Sequence, residues 1–122
     1  MFKPMSLIYE EAKMPTKTLR ILIADADPDQ ALRMERALNL LGYYRIAPLY
    51  SPEALLSLRA ARINEYDVLL ISQKMAGGGM ADEAAFRKDN SQFRHVLIYA
   101  DADSFAHQLA AKMSMLDSSS QS

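Results

Sequence analysis

From Val68 to Ile71 four aliphatic residues follow one another without a polar break, and the run stops at Ser72. Four residues are too few for a buried helix, but they suit a strand covered on both faces, as in a parallel sheet. Parallel strands must be joined by crossovers, usually helical, so this one run already commits the chain to alternating strands and helices. In open parallel sheets ligands and chemistry sit just beyond the carboxyl ends of the strands, which draws attention to Ser72 and its neighbours.

The rest of the chain fits that frame. Leu19-Arg20-Ile21-Leu22-Ile23-Ala24 is a second apolar run, ending in Asp25-Ala26-Asp27-Pro28. Asp27 can accept from the free amides of a first helical turn, and Pro28 at the first helical position needs no donor. Ala31, Leu32, Met34, Ala37, Leu38 and Leu41 recur at helical spacing, with Gly42 able to end the helix in the left-handed region. Residues 44–50 alternate and contain Pro48, which predicts a strand at an edge. Ser51-Pro52-Glu53 opens a helix over 54–63, with Leu55, Leu56, Leu58 and Ala61 inward. A glycine loop at Gly77 to Gly79, a short helix over 81–88 and a strand over 95–99 follow. Asp101 to Ser104 forms a turn rich in capping residues, and a helix covers 105–116. The order is βα four times, an α/β chain with helices on both faces of the sheet. Residues 1–17 form an N-terminal extension, 18–116 the domain and 117–122 a polar tail.

Composition narrows the function. A chain of 122 residues is one domain by length. A net charge of −1 gives no electrostatic case for binding nucleic acid or an anionic membrane. The absence of cysteine removes disulfides, thiolate catalysis and cysteine-type zinc sites together. No apolar run is long enough to span a bilayer, and Glu10 and Glu11 interrupt the N-terminus, which does not read as a secretion signal. A cytoplasmic location is expected. His95 and His107 are isolated, and the glycines lack the lysine and hydroxyl of a phosphate loop. Met75 and Met80 flank those glycines and could form an adaptable contact surface.

Ile21 to Pro28, then Leu41-Gly42-Tyr43, then Tyr66 to Ser72 with Met75 and Gly79 behind it, resemble the CheY-like receiver domain of two-component response regulators, over about residues 19–104. The resemblance implies a flavodoxin-like three-layer sandwich, with strand order 2-1-3-4-5. It implies an aspartate at the end of strand three that takes a phosphoryl group from a histidine kinase. An acidic pair after strand one would hold Mg²⁺, with a hydroxyl after strand four and a lysine after strand five.

Carried over residue by residue, the resemblance implies a degenerate site. Asp25 matches the first acid, Ala26 the second, Ser72 the phosphate acceptor, Tyr99 the hydroxyl switch position and Ala100 the small residue after it. Ala76 stands where the family has a proline. A fifth βα unit is absent after Leu116. Mg²⁺ asks for a hard octahedral shell, and Asp25 with Asp27 is a weak pair of candidates, so neither a metal nor another cofactor is expected. The expectation is therefore a non-enzymatic module of two-component, or phosphorelay, signalling that acts by protein–protein contact without aspartyl phosphorylation. Its partner would be a protein of a bacterial signalling pathway, or a second copy. A homodimer would form through the strand-four edge, Val96, Leu97, Ile98 and Tyr99, or through the segment from Ser6 to Glu11. Two alternatives stand beside it. One is a flavodoxin-like enzyme or binding protein for a small-molecule or phosphate ligand, using Asp25, Ser72 and Gly77 to Gly79. The other retains Mg²⁺ at Asp25 and Asp27, with Ser72 modified by a separate kinase.

Overall fold

The computed structural model describes residues 18–62, 65–77 and 83–121. In chain order these form β1 (Ile21–Ala24), α1 (Pro28–Leu40), β2 (Ile46–Leu49), α2 (Pro52–Ala60), β3 (Val68–Ser72), α3 (Glu83–Asp89), β4 (His95–Tyr99) and α4 (Ala102–Gln121). The strands make one sheet of order β2-β1-β3-β4, and every neighbouring pair is parallel. This is the flavodoxin-like α/β arrangement that the resemblance implies, built on the alternation of strands and helices that the residues predict.

β1 is buried throughout, and the aliphatics of β3 are wholly inaccessible. Both strands sit inside the sheet, so each of their faces meets a helix. On one side α1 and α4 cover Ile21, Ile23, Val68, Leu70 and Tyr99 with Ala31, Met34, Leu38, Phe105, Leu109 and Met113. On the other, Leu55 of α2 and Phe86 of α3 join Leu22, Leu69, Ile71, Phe93 and Val96. β2 is an edge, as Pro48 demands. The β1 side of β2 is served by Arg45 and Leu49, whose carbonyls accept from Ile21 and Asp25, so the alternate Pro48 turns its donorless nitrogen outward.

The helix ends follow their capping chemistry. Asp27 accepts from the amides of Asp29 and Gln30, and Ser51 from that of Ala54. At the far end of α1, Gly42 has φ 98° and Tyr43 N–H reaches Leu38 O, a Schellman closure that no Cβ-bearing residue would enter as readily. Several details differ from the sequence pattern. α2 stops at Ala60, three residues short of the expected end, and Arg62 has φ 55°. Leu32 and Leu56, expected inward, are 42% and 54% exposed, because the helical faces that bury Met34 and Leu55 are narrow. α4 begins at Ala102 because Asp101 caps Ser104, and it continues through Gln121, beyond the last apolar turn at Leu116.

The placement of α4 matters most for the site. The step from β1 to β2 runs in the opposite direction across the sheet from the steps to β3 and β4, so right-handed crossovers put α1 on one face and α2 and α3 on the other. A crossover to a strand beyond β4 would run over the α2/α3 face. α4 lies on the α1 face instead, turned back over the sheet. Among the described residues β4 is therefore the second edge.

Candidate functional site

Register brings the expected residues together. Ala24 pairs with Ile71, and Ser72 pairs with Tyr99, so Asp25, Ser72 and Tyr99 occupy neighbouring places at the carboxyl edge of three adjacent strands. With Ala26, Asp27, Gln30, Lys74 and Ala100, the first two line a cleft of about 360 Å³.

Asp25 is the centre. Its carboxylate is 3% exposed and accepts three hydrogen bonds: Oδ1 from the Asp27 amide at 2.9 Å, and Oδ2 from Gln30 Nε2 at 2.6 Å and Tyr99 Oη at 2.8 Å. Gln30 passes the connection on, its Oε1 accepting from the Ala102 amide at 3.0 Å at the start of α4. The chain Tyr99–Asp25–Gln30–Ala102 thus joins β4, β1, α1 and α4. Burial pushes the Tyr99 phenol far above its ordinary value, reinforced by the hydrogen bond to Asp25 and the charges of Asp25 and Asp27. The phenol is a fixed donor.

Ser72 is 4% exposed, and its Oγ accepts from the Met75 amide at 3.2 Å while its carbonyl accepts from the Ala76 amide at 3.0 Å. The serine hydroxyl is engaged in starting the turn after β3, and among the described residues no base is hydrogen-bonded to it, which leaves it a poor nucleophile. Asp27, exposed, spends Oδ1 on the first turn of α1, as a cap does. Ala26 has no ligand oxygen. The described residues fit Mg²⁺ poorly: both lone pairs of Asp25 Oδ2 and one of Oδ1 are taken, and Asp27 spends its Oδ1 on the helix cap. Among the described residues no three His, Cys, Asp or Glu side chains gather to hold a metal ion.

Of the glycine loop, Gly77 is described, with φ 126°; Gly78, Gly79 and Met80 lie outside the described residues, as does the segment from Ser6 to Glu11. His95 and His107 lie on different elements, β4 and α4. The four residues expected at the β4 interface divide in two. Val96 and Tyr99 are buried, by the α2/α3 side and by α4 respectively, while Leu97 and Ile98 are half-buried. Two residues of the site carry no signal in the sequence. Gln30 is one helical turn past the cap and reaches Asp25 and Ala102 only because α1 and α4 begin side by side; Lys74, exposed at the rim, is two residues past Ser72.

The class that fold and site define is a doubly wound α/β domain whose carboxyl-edge acid is consumed by internal donors. No family model matches the chain, and neither a curated protein nor a solved structure does. No helix among the described residues is long and apolar enough to cross a membrane.

Proposed function

We propose that the chain is a receiver-like module of two-component signalling, cytoplasmic, which works by protein–protein contact and takes no phosphoryl group on an aspartate. The observation that carries this reading is the Tyr99 hydroxyl on Asp25, with Ser72 beside it in the acceptor's place. Phosphoryl transfer depends on cations that gather the charge of the transferring group. Here the carboxylate that would hold the metal is occupied by a phenol, a carboxamide and an amide.

In this reading the surface of β4 and α4 is held in one docking state, because the Tyr99–Asp25–Gln30–Ala102 chain fixes their ends to β1 and α1. A partner protein or a second copy meets that side. Incubation with acetyl phosphate or beryllofluoride and Mg²⁺, read by intact mass and thermal melting, tests it. The expected result is an unchanged mass and midpoint; a stoichiometric adduct would overturn the proposal.

A further inference from the structure

The amino edge of the sheet holds a larger cavity than the Asp25 cleft, about 700 Å³ against 360 Å³. Its walls are the end of α2, with Leu56, Arg59 and Arg62, and the turn that leads from α3 into β4, with Asp89, Ser91 and Gln92. The volume falls within the roughly 300 to 1,000 Å³ of small-molecule pockets. Three features run against what a merely solvated surface needs. The first is unspent charge. Among the described residues neither guanidinium has a hydrogen bond or a salt bridge, and Asp89 is paired with neither. The carbonyls ending α2 favour a nearby cation, which accounts for Arg59 in the last turn but not for Arg62 beyond it. The second is backbone. α1 is followed by Gly42, whereas the corresponding place after α2 is taken by Arg62 at φ 55°, a region costly to a residue with a Cβ. Strain of this kind gathers at functional sites. The third is a buried donor: Gln92 Nε2 has no hydrogen-bond partner among the described residues, where buried polar groups are normally satisfied.

We propose that this cavity binds a small phosphate ester of the nucleotide class. Arg59 and Arg62 supply planar donor forks that match phosphate oxygens in pairs, and Gln92 adds a neutral donor to the same wall. Asp89 disfavours a bare anion but accepts from a hydroxyl or amino group, so the two signs of charge together select a phosphate joined to a polar donor. Leu56, left exposed on α2, and Ala60 beside it offer an apolar surface to a ring. A nucleotide carries all three: phosphate, donor and ring. The inference stands apart from the signalling reading, whose cleft lies at the opposite edge of the sheet.

Amide NMR of the full chain tests this, with adenosine monophosphate, guanosine monophosphate, the two nucleosides and inorganic phosphate titrated separately. The expected result is saturable shifts at Arg62, Ser91 and Gln92 with at least one nucleotide, while Asp25 and Ser72 stay in place. Its nucleoside and inorganic phosphate, each lacking one half of the contacts, should bind roughly tenfold more weakly or worse. Arg62→Gly should weaken nucleotide binding by roughly tenfold or more, yet leave the melting midpoint unchanged or higher, since glycine accepts a positive φ without strain. Arg59→Gln should weaken binding likewise without touching the backbone. No saturable shift with either nucleotide, or binding that both variants leave intact, overturns the proposal. So does an equal response to inorganic phosphate, which would leave an adventitious ion only.

Discussion

Asp25 and Asp67 lie at opposite ends of the same sheet and are held by opposite chemistry. Asp67, at the amino edge, meets a cation: Arg20 donates from its amide at 2.9 Å, from Nε at 3.3 Å and from Nη2 at 3.2 Å, in a partly exposed fork. Asp25, at the carboxyl edge, is buried with three neutral donors. A surface fork tolerates loss because water replaces it. A buried carboxylate that loses one donor keeps the whole desolvation cost of the missing bond. The difference places the structural weight of the molecule at the very end where receiver-like chemistry would be sought, and makes Tyr99 a part of the core.

That contrast yields ranked expectations. Tyr99→Ala removes a ring packed 5.7 Å from Phe105 and a donor to Asp25 together, and should cost about 3 to 5 kcal/mol in denaturant unfolding. Tyr99→Phe keeps the ring and should cost about 1 to 3 kcal/mol, with Gln30→Leu similar; equal stability to the parent would mean that water supplies the bond. Asp67→Asn should cost less, about 1 kcal/mol, since the fork is partly solvated.

The two ends also part company with pH. For Asp67, burial pulls its pKa upward, but the Arg20 guanidinium and amide, with the Arg94 charge, outweigh it and hold the carboxyl below its ordinary range. Its folded value is depressed, so its contribution is present above the unfolded carboxyl value of about 3.9 and lost as pH falls through the lower folded value. For Tyr99 the folded value is raised by burial and by Asp25. Its contribution is complete below pH about 10 and lost as pH climbs beyond. Asp67→Asn should flatten the acid limb of a stability-against-pH curve, and Tyr99→Phe the alkaline limb. Each leaving the other limb untouched is the expected pattern; a shared response would mean that the ends are coupled.

Much of the fold is legible in two apolar runs, two further strand patterns and two proline-marked caps, because burial of the inner strands on both faces and the chemistry of Asp27 and Ser51 are local properties of the chain. The site is legible only in outline. Asp25, Ser72 and Tyr99 can be named from position after their strands, but the Tyr99–Asp25 bond spans 74 residues and the Gln30–Ala102 bond 72. Such contacts depend on which face receives α4, and nothing within its own sequence settles that. Asp101 shows the same limit at short range: its capping potential is visible, yet the helix it starts includes Ala102 to Ser104, which read as turn.

Whether Asp25 is closed to cations is measured most directly by following the backbone amides of Asp27, Ser72 and Ala102 by NMR as Mg²⁺ is added to millimolar excess. A carboxylate already engaged by Tyr99, Gln30 and the Asp27 amide predicts that these three signals stay in place, shifting no more than surface amides do. Saturable shifts confined to those three amides would show a metal entering the cleft and contradict the account.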